Sequence, residues 1–265
     1  MRVRGVLVAL TLALLCAAPA SAQLPSPGID PPGANDWSCH PSSARPYPVV
    51  LVHGTLGDMT VSWNLISPRL KQAGYCVFAL DYGDRGTGPI EGSAAQLRDF
   101  VDRVLAATGA RKVSLVGHSQ GGMMPRYYLK FLGGAGKVDD LIGLAPSNHG
   151  TSNPGALVLA GVGVCYSCGQ QATGSAFLTN LNAGDETPGN VAYTVVETRY
   201  DEVVIPYTSA FLSGATNVLL QTRCPLDVAE HLSIIYDAVA LRWIQNALGR
   251  PGPADPGFRP SCLPL

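Results

Sequence analysis

A serine set among glycines, Gly117-His118-Ser119-Gln120-Gly121-Gly122, directly follows the apolar run KVSLV and directly precedes a segment with helical periodicity. G-x-S-x-G between a strand and a helix is the pattern of a nucleophile elbow, a tight turn that lifts a hydroxyl above a sheet. Side chains at Gly117 or Gly121 would collide with the strand or the helix, which is why the pattern needs glycine there. The chemistry implied is attack by the Ser119 hydroxyl on an electrophilic carbon. Serine is a poor nucleophile unless a neighbouring base takes its proton.

Five histidines could serve: His40, His53, His118, His149 and His231. Elbows of this kind are followed along the chain first by an acid and then by the histidine. His40, His53 and His118 precede Ser119, and His118 is expected to point elsewhere from its place on the elbow. His149 leaves little room for an intervening acid, so His231 is the candidate base. The acid must orient His231 and stabilise its charged form without taking the proton. Asp201, just past the run VAYTVVET, leads. Glu202, Asp185 and Asp227 are alternatives, and Glu230 adjoins His231 too closely in sequence for an easy side-chain meeting. Two backbone N–H groups must face the developing negative charge. The residue after the nucleophile, Gln120, supplies one, and Thr55 in His53-Gly54-Thr55 the other.

These residues need a frame that brings them to one edge. Short β-branched or apolar runs at 48–53, 76–80, 112–117, 138–144, 191–197 and 218–222 read as strands. Runs this continuous suit strands buried on both faces. Helical spacing covers 94–105, 123–132 and 232–248. The alternation predicts an α/β fold, a mostly parallel sheet with helices on both faces, whose site lies at the carboxyl ends of the strands. The expected organisation is a catalytic domain over 47–249, an arm over 23–46 and a Pro-rich tail over 250–265. One segment, 150–189, breaks the alternation: its apolar, Gly-rich run 156–164 is either a buried helix or a lid-like cap over the pocket.

The 265 residues suit one large domain, and 46% hydrophobic content excludes a disordered chain. A formal net charge of −1 gives no footprint for nucleic acid. Arg2 and Arg4, an apolar run from Val6 and Ala20-Ser21-Ala22 read as a secretory signal peptide over 1–22. The rival reading, a lipoprotein anchored through Cys16, lacks a small residue just before that cysteine. Without Cys16 the count is six, and an even number in an exported chain reads as disulfides. Position along the chain favours Cys39–Cys76, Cys165–Cys168 and Cys224–Cys262. Cys165-Tyr-Ser-Cys168 could instead be half a zinc site or a redox pair, but no second ligand pair accompanies it.

LVHGT (51–55), VGHSQGG (116–122), RYYLKFLGG (126–134), SNHGT (147–151), YDEVV (200–204) and the EH before the last helix together resemble the secreted bacterial triacylglycerol lipases of α/β-hydrolase type, especially the actinobacterial group. The resemblance spans roughly residues 39 to 248. It implies Ser119 as nucleophile, Asp201 as acid, His231 as base, and Thr55 and Gln120 as oxyanion donors. It further implies a monomer acting on lipid esters at a lipid–water interface, with no organic cofactor. Some related lipases carry a structural calcium ion, yet no acidic cluster here identifies such a site, so no metal is expected. A carboxylesterase of short soluble esters and a cutinase or polyesterase share the same machinery. A peptidase or thioesterase, or an inactive binding module, has less support.

Overall fold

The computed structural model describes residues 28–264, so the signal-peptide reading of 1–22 lies outside the described residues. Six strands form one sheet: β1 (Val49–Val52), β2 (Val77–Leu80), β3 (Val113–His118), β4 (Val138–Leu144), β5 (Ala192–Glu197) and β6 (Thr216–Leu219). Their order is β2-β1-β3-β4-β5-β6 and every pairing is parallel. Successive strand residues point to opposite faces, and both faces are covered. Val49 and Leu51 pack with Trp63, Ile66, Leu70 and Trp243 on one side. Val50 and Val52 pack with Ile90, Leu97, Val101 and Met123 on the other. The long helix Ile90–Thr108 buries Ile90, Ala94, Leu97, Val101 and Val104 at three- and four-residue steps and ends at Gly109 in the left-handed region (φ 69°). Each such buried Ile, Leu or Val side chain stabilises by roughly 1.5–3 kcal/mol, and Ala94 by less.

β1 lies between β2 and β3, so the chain winds away from it in both directions. The crevice beyond the carboxyl ends of β1 and β3 is therefore a topological switch point, where open α/β sheets place their ligands. Gly54 and Ser119 stand at those two ends.

Two elements differ from their sequence reading. The run 218–222 is not one strand: β6 ends at Leu219 and Leu220–Arg223 turns into a helix. There the Gln221 side chain accepts from Arg199 N (3.0 Å) and donates to Thr198 Oγ1 (2.9 Å), drawing the chain out of the sheet. The segment 232–248 is likewise not one helix. A 3₁₀ turn, Ser233–Tyr236, precedes the helix Ala238–Leu248. Asp237 separates them, extended and capping the Ala240 N–H at 2.7 Å.

The arm runs beside β2, where the Asn35 side chain bonds both N–H and C=O of Ala79 (2.9 and 3.0 Å) and the Trp37 ring lies tilted against that of Phe78. The segment 150–189 forms three short helices, Pro154–Gly161, Tyr166–Gln170 and Ala176–Asn182. The first is not a buried helix: none of its residues is buried, and Val158 is 63% exposed. Disulfides join Cys39 to Cys76, Cys165 to Cys168 and Cys224 to Cys262. Among the described residues no helix is long and apolar enough to cross a membrane.

Candidate active site

Ser119 connects β3 to the helix Gln120–Met123 with φ 55° and ψ −125°, a conformation that non-glycine residues rarely adopt. The surrounding glycines make that turn possible. A Cβ on Gly117 would stand 1.8 Å from the Gly121 carbonyl oxygen, and one on Gly121 would stand 2.1 Å from that of Val52. Both contacts are with backbone, so no side-chain motion could relieve them. The turn is pinned by Ser119 N–H donating to Leu144 O (2.9 Å) and Gly122 N–H donating to Ser119 O (2.9 Å). Gly54 closes on it from β1: a Cβ there would meet the Ser119 Cβ at 3.0 Å.

His231 stands after the helix Leu220–Arg223 on a loop that leads into the 3₁₀ turn. Its Nδ1 lies 2.8 Å from Asp201 Oδ2, and the two side chains are 3% and 0% exposed. Asp201 Oδ1 accepts two further hydrogen bonds, from Val203 N–H (2.8 Å) and Val204 N–H (2.7 Å). The carboxylate is thus held from both sides, and the imidazole keeps Nε2 for the cavity. The alternative acids are engaged elsewhere. Glu202 accepts from the His231 backbone N–H (3.3 Å), Asp185 from Thr187 N–H (2.9 Å), Asp227 from Ala229 N–H (2.9 Å) and Glu230 from Leu232 and Ser233 N–H (both 2.8 Å).

Ser119 and His231 line one cavity of about 580 Å³, together with Thr55, Ser147, Gln171 and Leu159. The Gln120 N–H opens its helix and so has no intrahelical acceptor. Thr55 lies across from it, its hydroxyl 3.4 Å from Gln120 Oε1. Behind both packs Gly86, at φ 72°, where a Cβ would sit 3.2 Å from Thr55 Cα and from Gln120 Oε1. Among the described residues no group of three or more His, Cys, Asp or Glu is arranged to hold a metal ion.

One participant escaped the sequence reading. His118 does not point away from the site: its Nε2 lies 2.8 Å from the His231 carbonyl oxygen, and the two rings are 4.8 Å apart. A carbonyl only accepts, so this nitrogen carries the proton. Burial, reinforced by His231 close by, pushes the His118 pKa down to about 3, which keeps the ring neutral. It braces the loop that carries His231. No spacing rule separates such a brace from a histidine that merely follows a strand.

Residues 46–243 match the family model described as Lipase (class 2). The chain belongs to the class 2 lipase family. It is 30% identical over 239 residues to Lipase B of Pseudozyma antarctica, covering 85% of this chain and 69% of that protein. It is also 41% identical over 92 residues to triacylglycerol lipases of Pseudarthrobacter phenanthrenivorans and Burkholderia plantarii, which covers 32% of this chain and 28% and 25% of theirs. The chain thus spans about a quarter of the length of those two curated relatives. Among solved structures, Aspergillus fumigatus lipase B superposes with a TM-score of 0.73 at 24% identity, over 86% of this chain and 57% of that one. Bacillus licheniformis lipase BlEst2 in its mature form gives 0.58 at 21%, over 74% and 89%. At these identities the likeness is one of fold, the α/β-hydrolase fold, and this family member has it with an all-parallel sheet.

Proposed function

We propose that this family member hydrolyses the ester bonds of acylglycerols through an acyl-enzyme formed on Ser119. The observation that carries the reading is the 2.8 Å Asp201–His231 bond at the rim of the cavity into which the strained Ser119 turn opens. In the first half-reaction Ser119 Oγ attacks the ester carbonyl carbon while His231 Nε2 takes its proton. Asp201 steadies the imidazolium and keeps its own charge. The carbonyl oxygen becomes an oxyanion facing the N–H groups of Thr55 and Gln120. When the tetrahedral species collapses, the C–O bond to the alcohol breaks and His231 returns the proton to the leaving oxygen. Water then repeats the sequence on the acyl group, frees the fatty acid and restores Ser119. The chemistry asks for no cofactor and no metal.

The lipid character rests on the rim. Ala156 and Leu159 of the helix Pro154–Gly161 line the cavity, as does Leu232, itself 62% exposed, while Leu157 and Val158 of the same helix and Val162 just after it face outward. Clustered apolar side chains around a pocket mouth mark an interaction surface. We read the segment 150–189 as a cap that meets a lipid–water interface and guides an acyl chain inward. Three disulfides support export to an oxidising compartment after removal of 1–22, and a monomer suffices because one chain carries every group named.

The test is hydrolysis of emulsified triolein, tributyrin and p-nitrophenyl acetate by the purified protein beside Ser119→Ala. Fatty acid released from triolein by the wild type, with a loss on the order of 10⁶-fold in Ser119→Ala, supports the reading. Turnover of p-nitrophenyl acetate alone would make this a carboxylesterase of small esters. A Ser119→Ala protein that keeps a tenth of the rate would remove the serine mechanism altogether.

A further inference from the structure

β5 ends on an acid buried as deeply as the apolar core. Tyr193 and Val195, which share its face of the sheet by alternation, are core residues, and Glu197 itself is 0% exposed. Its Oε1 accepts from the Thr198 N–H at 2.7 Å. Its Oε2 is also buried, and no N–H or hydroxyl reaches it. The turn that follows folds this acid onto the triad. Asp201 N–H donates to Thr198 O (3.3 Å), while the Thr198 hydroxyl donates to Ala229 O (2.6 Å) and accepts from Gln221 Nε2 (2.9 Å). The turn is thereby tied to the loop that carries His231. There the Glu197 and Asp201 side chains share a hydrogen bond.

Two carboxylates offer only acceptors, so that bond exists only if one of them keeps a proton. Asp201 already accepts from His231 Nδ1, Val203 N–H and Val204 N–H, three donors that favour its charged form. Glu197 accepts a single N–H. Burial first, and then the Asp201 charge, push the Glu197 pKa well above the ordinary carboxylate range. The other acids of the two loops, Glu202, Asp227 and Glu230, are each held by backbone N–H groups, and His118 stays neutral. The proton therefore belongs to Glu197.

We propose that Glu197 is a positioning residue of the triad, a neutral acid whose O–H donates to the Asp201 carboxylate, so that two acids carry one negative charge beside His231. Its part in catalysis rests on the ester-hydrolase reading above; the shared proton does not. A buried acid that keeps its proton in order to donate has precedent in enzyme sites. Here the donated bond draws charge from Asp201 and limits how firmly the imidazolium is held. Without it His231 would keep its proton to higher pH, and less of the free base would be present on the acid side.

The experiment is the pH profile of kcat/KM for p-nitrophenyl butyrate in wild type, Glu197→Gln and Glu197→Met. Gln keeps the shape, a donor for Asp201 and an acceptor for the Thr198 N–H; Met keeps the volume and loses the donor. In Glu197→Met the acid limb should move up by about half a unit, which is about a threefold loss on that limb. KM should change less than about twofold. Glu197→Gln should return the limb to its wild-type place. A limb that moves down in Glu197→Gln would mean that an ionised Glu197 had been supporting the imidazolium, and that overturns the proposal. Limbs unchanged in both variants leave Glu197 a packing role and overturn it too. If Glu197→Met does not fold, Glu197→Leu takes its place under the same criteria. A second measurement needs no turnover. A proton held only in the folded state makes stability fall as pH rises, and Glu197→Gln removes that loss, so its Tm should gain on wild type between about pH 5 and about pH 8. A constant Tm difference overturns the shared proton. An inactive wild type marks failure of the ester-hydrolase reading, and the Tm comparison then decides on Glu197 alone.

Discussion

Replacing Asp201 with asparagine tests the site at its least accessible bond. The exchange keeps shape and removes charge, and the surroundings decide which way the amide turns. Oδ1 of Asp201 accepts from Val203 and Val204 N–H at 2.8 and 2.7 Å. An amide nitrogen there would meet two donors and leave both N–H groups unpaired in a buried place, at about 1–3 kcal/mol each. Asparagine therefore keeps its oxygen on that side and presents Nδ2 to His231 Nδ1. That nitrogen must now accept, so the ring proton moves to Nε2, and the lone pair that would take the Ser119 proton is gone. The same exchange in serine proteases lowers kcat about 10⁴-fold, or about 5–6 kcal/mol at 1.36 kcal/mol per decade. With Asp201 and His231 side chains 0% and 3% exposed, water has little room to soften the effect. The assay is steady-state hydrolysis of p-nitrophenyl butyrate normalised to sites labelled by a fluorophosphonate, with Glu202→Gln alongside. Glu202 accepts from the His231 backbone N–H and not from its ring, so its exchange should change the rate less than about threefold. Asp201→Asn retaining more than about a tenth of the rate, or Glu202→Gln losing as much, would refute the assignment.

Gly121→Ala should lower stability by roughly 3 kcal/mol, the upper end for overpacking, because its Cβ would stand 2.1 Å from Val52 O. Gly136→Ala, which meets nothing within 4 Å, should be neutral, and equal urea midpoints for the two would count against the elbow geometry. The Cys224–Cys262 bridge spans 38 residues, for which chain entropy gives about 4 kcal/mol as an upper figure. Cys262→Ser should then lower Tm by up to about 8–16 °C, and a peptide map of the unreduced protein joining Cys224 to another partner would remove the argument. Asp140 is buried beside Ser114, which donates to it at 2.7 Å, and burial raises its pKa to about 7. Between its ordinary value and 7 the folded state holds a proton that the unfolded chain has lost, so stability falls as pH rises through this window. Tm measured from pH 5 to 8 should decline, and Asp140→Asn should flatten that decline; an identical slope in the variant would show that another group sets it.

The strand–helix alternation, the elbow and the side of the sheet on which it opens are legible in the order of the residues. The reason is local: glycine at Gly117 and Gly121, a continuous apolar run before Ser119 and helical spacing after it are all properties of neighbours along the chain. The β6 run and the helix before Leu248 depart from the single elements their spacing predicts for different reasons, one a set of distant partners and the other a local helix cap inside an apolar period. Gln221 leaves the sheet to bond Thr198 and the Arg199 backbone, and Asp237 interrupts an apolar period that continues on both sides of it. Only the folded structure distinguishes the surroundings of Asp201 from those of Glu202, which are adjacent in sequence and alike in charge. Two backbone N–H groups and a buried imidazole converge on the first, while the second accepts from the His231 backbone rather than its ring. It alone also placed His118 against the His231 carbonyl and Gln171 against the Thr55 hydroxyl, contacts between residues 113 and 116 positions apart. Periodicity reports which face a side chain takes. Which polar group it finds there is settled by the packing of elements far apart in the chain.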